Sequence, residues 1–486
     1  MNAVSDSGPR IRSIADLPGP RQWPLLGNWH QMDTARMHHA MEAWSERYGP
    51  LFRFRIGPRT IVGIADPTLI GTILKDRPDG FRRTRLLEAT FREMGLCGVF
   101  AANGAAWRAQ RKMVMAAFDT RHVKSYFPFM ARVTERFYRR WADHARRGVA
   151  FDLQADLMRY TVDVVAGLAF GEDVNTIESD GATIQTHLNH VFPMLMRRLT
   201  APFPYWRWIR LPADRDLERH LAKVHAEVDE LIRKARLRLE RAPELRTAPT
   251  NLIEAMIVER ETPGTELTDF DVASNVVTML LAGEDTTAHT LAWLIHLVEQ
   301  NRGVARRLSE EADRVLGDLH FAERLELASL LKFTAATAHE TMRLKPVAPV
   351  LILEADESKI LGDVAIPRGT VVAALIRQGS RSGNHFERPA DFEPQRWLDA
   401  DGSGHSTSRE RISMPFGAGP RICPGRNLAL LEINLVTSML FRNFEIASIR
   451  PEGGSVNEWL SFTMAPSRLW VTLRPRADTG HGSSRD

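Results

Sequence analysis

The stretch Phe416-Gly417-Ala418-Gly419-Pro420-Arg421-Ile422-Cys423-Pro424-Gly425 constrains this chain more than any other. Three glycines and two prolines in ten residues exclude regular helix and strand, so the backbone is held in a tight loop. Directly after it, residues 426–441 have helical spacing, with Leu428, Leu431, Leu435 and Met439 as an apolar stripe. Cys423 therefore stands just before a helix N-terminus, where partial positive charge and free N–H groups favour thiolate over thiol. Glycines let those N–H groups approach the sulfur, and such hydrogen bonds tune an iron ligand.

The other cysteine, Cys97, lies far upstream. Two cysteines exclude a disulfide framework, a Cys-rich zinc site and a four-cysteine iron–sulfur cluster, and they fit a reducing cytoplasm. The charge balance of 64 basic to 60 acidic residues, net +4, does not call for a nucleic-acid partner. No stretch reaches the roughly 20 apolar residues of a membrane span, and residues 1–12 lack the apolar core of a signal peptide. The expectation is a cytoplasmic protein without a transmembrane anchor.

Pro18-Gly19-Pro20 and Pro24-Leu25-Leu26-Gly27 set an extended segment, followed by an amphipathic helix over 34–47 with Met37, Ala40, Met41 and Trp44 on one face. Residues 51–56 and 60–64 alternate as strands around a Gly57-Pro58 turn. The chain then reads as mostly helical to about residue 343, with strands returning at 350–353, 371–376 and 469–473. This is a mainly α fold with a small β region. The expected organisation is a polar flexible N-terminus (1–17), a single domain (18–474) and a disordered tail (475–486).

Three helical segments carry polar residues of note; those of the first are out of place in a packing element, while the pairs on the other two are, taken alone, common surface arrangements. Residues 268–298 form one long helix, started by a Thr268/Asp271 capping box, whose apolar course is broken by Ala282-Gly283-Glu284-Asp285-Thr286-Thr287. Gly283 removes a side chain where something must come close, and a threonine hydroxyl loosens local helix bonds. Glu340 and Arg343 stand at i, i+3. Trp107 and Arg111 stand at i, i+4 on a helix over 104–117.

The intact Phe-x-x-Gly-x-Arg-x-Cys-x-Gly pattern resembles the haem-binding signature of the cytochromes P450, and the other motifs follow in that family's order. The resemblance implies the P450 fold and a haem b on the Cys423 thiolate, within a loop shaped by Phe416, Gly417 and Gly425. Arg111, with Trp107, and Arg421 become the propionate-binding candidates. Glu340, Arg343 and Arg396, from Pro394-Gln395-Arg396-Trp397, become a buried network that braces the haem-binding core. Thr286 becomes the alcohol that hydrogen-bonds dioxygen and Asp285 the proton-relaying acid, with Glu284 as the competing acid.

One departure stands out: where the family often has a further propionate-binding arginine, this chain has Leu353, followed by Glu354. Arg377 or another cation takes its place, or the propionate is solvated.

The implied reaction is monooxygenation of a mostly apolar substrate drawn into segments 82–104, 188–211, 274–286, 347–353 and 462–464. Electrons come from a ferredoxin- or flavodoxin-type donor with its reductase, received near Arg108, Arg111, Lys112 and Arg121. A soluble bacterial-type protein is expected. The alternatives are a peroxide-using haem-thiolate enzyme, which the Asp285–Thr286 pair argues against, and a haem sensor without turnover. The run Phe203-Pro204-Tyr205-Trp206-Arg207-Trp208 reads as a lid, a membrane-surface contact or packing between helices.

Overall fold

Capping chemistry starts the longest element. The Thr268 hydroxyl accepts from the Asp271 N–H while the Asp271 carboxylate accepts from Thr268, and the helix Asp269–Glu299 runs for 31 residues, about 46 Å at 1.5 Å per residue. Gly283 on this helix meets the helix Leu153–Phe170, where an added Cβ would fall 2.6 Å from Val165 Cγ2. The close approach inferred at Gly283 is thus a helix–helix crossing, and Thr161 Oγ1 seals it with a 3.1 Å bond to the Glu284 carbonyl. The helix Arg426–Asn443 packs against the long helix as well, with Leu428, Leu431, Leu435 and Met439 all buried.

The structure, a computed structural model, describes residues 11–118, 120–179, 187–188, 190–201, 203–399 and 407–476, with the side chains of 120–123 and 407–408 set aside. Among these residues the strands are β1 (Leu51–Ile56), β2 (Arg59–Ile64), β3 (Phe81–Arg83), β4 (Phe151–Asp152), β5 (Val350–Ala355), β6 (Lys359–Leu361), β7 (Val364–Ile366), β8 (Val371–Leu375), β9 (Phe444–Pro451), β10 (Glu458–Leu460), β11 (Met464–Pro466) and β12 (Leu469–Pro475). Gly57, at φ +55°, turns the β1–β2 hairpin. The largest sheet has the order β1-β2-β8-β5-β3, with β2 and β8 parallel and the other pairs antiparallel. The whole is a helical body with small sheets, as the pattern of periods implies.

Two boundaries move. The segment expected to be flexible through residue 17 is tied down from Arg12, which pairs with Asp363, and Leu17 is buried. The tail expected from 475 starts later: Pro475 closes β12 against β9, and Arg476 pairs with Asp313 at 2.9 Å. Residues 1–10 and 477–486 lie outside the described residues.

Candidate active site

The cysteine loop is built by its glycines. Gly417 and Gly419 hold φ values of +73° and +70°, and a Cβ on Gly419 would sit 2.6 Å from the Leu74 carbonyl oxygen. The loop is thereby pressed onto the end of the helix Pro67–Lys75. The Cys423 N–H donates to the Phe416 carbonyl at 2.9 Å, and the chain enters the helix Arg426–Asn443 directly after Gly425. A Cβ on Gly425 would lie 3.9 Å from Cys423 Sγ, while Phe416 has the Arg426 guanidinium over its ring at 6.0 Å.

The sulfur lies deep in the molecule, yet Cys423 is exposed, so it lines a recess open to solvent-sized species. Burial pushes its thiol pKa up; backbone N–H bonds from Gly425 and Arg426 and the charges of Arg111 and Arg426 pull it down. Burial prevails and the free thiol is held above its usual value, whereas binding a metal cation deprotonates such a thiol outright. Cys97 is half-buried, and burial raises its pKa as well.

The long helix opens in its middle. Ala282 is exposed between the buried Leu281 and the buried run from Thr287 to Ile295. Thr286 Oγ1 donates to the Ala282 carbonyl at 2.8 Å. Burial lifts the Asp285 carboxyl to about 6. Glu284 is buried, and its backbone carbonyl belongs to the crossing with Leu153–Phe170.

Beside the cysteine loop the arginines fall into two kinds. Arg111 donates to the Ile422 carbonyl at 2.8 Å, bracing the peptide next to Cys423. Arg421 lies 4.7 Å over the buried Trp107 ring and donates to the Ala102 carbonyl, but its Nε has no partner among the described residues. Arg77 is 4% exposed, and its Nε and Nη2 likewise have no partner there. Burial first, then repulsion from Arg83 and Arg421, pushes Arg77 down to about 8; Arg421 falls to about 9, and burial alone takes Arg83 to about 10. Guanidinium groups stay protonated at neutral pH, so these depressions mainly reflect the burial of three cations, with mutual repulsion adding to it at Arg77 and Arg421.

Two other buried clusters of charge are closed. Glu340 accepts from Arg343 twice at 2.8 Å, from Arg396 at 3.0 Å and from Trp397 Nε1 at 2.8 Å. Arg377, one cation considered for the place of Leu353, is fully buried and clasped by Glu42 at 2.7 Å and Glu458 at 2.8 Å, so it is not available to a propionate. Burial raises the Glu458 carboxyl, but His38, Arg377 and Lys345 outweigh it and hold it well below the usual carboxylate range.

On the apolar side, Phe462 meets Phe192 at 5.0 Å, Phe100 at 5.5 Å and Phe91 at 6.4 Å between ring centroids. Three of the expected pocket segments therefore converge. The aromatic run divides: Trp206 is buried and donates to Glu93 at 2.7 Å, which is packing, whereas Trp208 is exposed.

Comparison with known proteins decides the family: the cytochrome P450 profile matches residues 17–472. The chain belongs to the cytochrome P450 family. It is 28% identical to the chloroplastic protein LUTEIN DEFICIENT 5 of Arabidopsis thaliana, over 88% of this chain and 73% of that one. It is 27% identical to the chloroplastic carotene epsilon-monooxygenase of the same plant, over 83% and 76%. Identity to the mitochondrial 25-hydroxyvitamin D-1 alpha hydroxylase of Rattus norvegicus is 26%, over 92% and 90%.

As a P450 it is a monooxygenase that places one atom of dioxygen into an apolar substrate, using a haem on an axial cysteine thiolate and electrons from a separate redox partner. The residues fit haem: an exposed cysteine with N–H donors at its sulfur stands beside guanidinium nitrogens that have no partner among the described residues, and haem carries two carboxylates.

The cytoplasmic expectation is corrected, because these relatives are named for chloroplast and mitochondrion. Two free cysteines report a reducing environment and cannot tell one such compartment from another. The relatives are plant and mammalian, so the bacterial type drops back to the family as a whole. Among the described residues no helix is long and apolar enough to cross a membrane.

Proposed function

We propose that Cys423 is the thiolate ligand, that Trp107, Arg111 and Arg421 hold the carboxylate edge of the haem, and that Phe416, Gly417 and Gly425 shape the loop around the sulfur. Thr286 and Asp285 manage protons, and residues 12–476 act as one domain. When bound, haem supplies the activation of dioxygen.

This chain supplies the rest. The Gly425 and Arg426 N–H groups draw negative charge from the sulfur and set its electron donation. Arg111 fixes the peptide that carries Cys423 by holding the Ile422 carbonyl. Thr286 parks its proton on the Ala282 carbonyl, which leaves its oxygen free to accept a hydrogen bond; rotation of the hydroxyl then delivers a proton. Asp285, at about 6, takes up and returns protons near neutral pH. The burial of Glu284 at the helix crossing favours Asp285 as the relay. Phe91, Phe100, Phe192 and Phe462 support a largely apolar substrate, in keeping with relatives named for a carotene and for 25-hydroxyvitamin D.

Electrons come from a ferredoxin- or flavodoxin-type donor with its reductase. The exposed Arg108 and Lys112 offer the receiving face, tempered by their pairing with Asp79 and Glu259; the Arg121 side chain lies outside the described residues.

The observation that carries the reading is an exposed cysteine beside buried arginines whose nitrogens lack partners among the described residues. The reduced, carbon monoxide-bound difference spectrum tests it. A strongly red-shifted Soret band, lost in Cys423→His, is the expected result. A histidine-type band in the unaltered protein, or no haem, removes the reading.

A further inference from the structure

The family's missing arginine at Leu353 leaves a question that strand pairing answers. In the antiparallel pair β3–β5, Arg83 stands directly opposite Leu353. Directly opposed residues project from the same face, with Cβ atoms about 4.5–5.5 Å apart. A guanidinium launched from Arg83 thus starts one strand over from where one launched at position 353 would start, within the reach of a single side chain.

The neighbouring charges sort themselves along β3. Arg82 turns to Glu88 and Asp356, and Glu354 is taken by Arg85 at 3.2 Å. Among the described residues no carboxylate pairs with Arg83. Its Nε donates to the Phe100 carbonyl at 3.2 Å, and its guanidinium lies 4.1 Å over the Phe100 ring. Its own N–H donates to Asn103 Oδ1 at 3.0 Å, the same atom that accepts from Arg421 at 3.4 Å. Asn103 therefore ties Arg83 to the cysteine loop. Arg77, two residues beyond the helix end on which that loop rests, is close enough to repel both.

We infer that Arg83, the cross-strand neighbour of Leu353, supplies the carboxylate contact that an arginine at position 353 supplies elsewhere in the family, with Arg77 and Arg421 completing the cradle. The inference rests on haem binding by this chain. It makes the site a relocated one: the same charge reaches the same cofactor edge from an adjacent strand. Leu353, released from that duty, fills the core with Val62, Phe81 and Val372.

The test is haem transfer from the purified holoprotein to excess apomyoglobin, followed by absorbance, for the unaltered chain, R83L, R83K and the swap R83L/L353R. The expected result is haem loss at least roughly tenfold faster in R83L, the scale of losing one charge-assisted partner. R83K should fall between, because lysine keeps the charge and loses the fork. The swap should recover at least part of the loss, which a merely structural role for Arg83 does not predict. Unchanged retention in R83L, or a swap no better than R83L, overturns the inference. If R83L does not accumulate folded, R83Q takes its place with the same two outcomes. An unaltered chain that binds no haem defeats the proposed function instead, so the two failures are distinct.

Discussion

Two regions of this P450 bury arginine in opposite ways. At Glu340–Arg343–Arg396 and at Glu42–Arg377–Glu458, every guanidinium meets carboxylates at 2.7–3.0 Å. Around the cysteine loop, Arg77, Arg83 and Arg421 lie near enough to repel one another, and among the described residues none of them forms an ion pair with a carboxylate. The first kind is finished by the polypeptide, and its charges serve the fold. The second is left open among the described residues, and in the reading proposed above it is finished by the haem carboxylates. Burial alone does not separate them, since Arg77 and Arg343 are both nearly inaccessible; charge matching does.

The sharpest way to break the contrast is Glu340→Ala. It strands Arg343 and Arg396, at a cost of about 3–5 kcal/mol, and should abolish recovery of haem-loaded protein, read from haem content and thermal unfolding. Arg421→Leu should do the reverse. Relieved of repulsion, the haem-free form keeps or gains melting temperature, while haem is lost roughly tenfold or more faster. A haem-free form destabilised as much as Glu340→Ala would erase the distinction.

The closed network also has a pH signature. Glu458 has its folded pKa held below the unfolded value, so its contribution is present above about pH 4.5 and is lost as pH falls through the folded pKa. Melting temperature measured against pH should fall on the acid side, and Glu458→Gln should flatten that fall. Smaller again is Thr286→Ala, which leaves haem content intact and lowers the product formed per electron pair severalfold, a loss of order 1 kcal/mol. Smallest is Lys112→Glu: an exposed pair contributes about 0–1 kcal/mol, so donor reduction should slow modestly and only at low salt.

Local chemistry was legible in the sequence; long-range pairing was not. The loop at 416–425, the capped helix Asp269–Glu299 and the helix Gly104–Ala117 each declare themselves within a few turns of chain. Strand β9 escaped notice because Phe444 follows the helix Arg426–Asn443 without a glycine or proline to mark the change. Arg377 stays among the open alternatives in the sequence because its partners lie 335 and 81 positions away. Arg77 and Arg83 were passed over for the matching reason: a sequence lists cations without saying which of them go unmatched. Gly283 illustrates a half-legible site, since the need for closeness was visible while the partner, Val165, was not.

The Glu42–Arg377–Glu458 clasp carries a further consequence for how the molecule is made. Glu42 is made first, Arg377 follows 335 residues later, and Glu458 comes 81 residues after that. At ribosomal speeds of about 5–20 residues per second, the first carboxylate waits roughly 20–70 s for its cation. The clasp on the helix Met37–Tyr48 is therefore completed well after β2 and β8 have both been made, and a ribosome that stops short of residue 458 releases a protein in which Arg377 has only one of its two carboxylates.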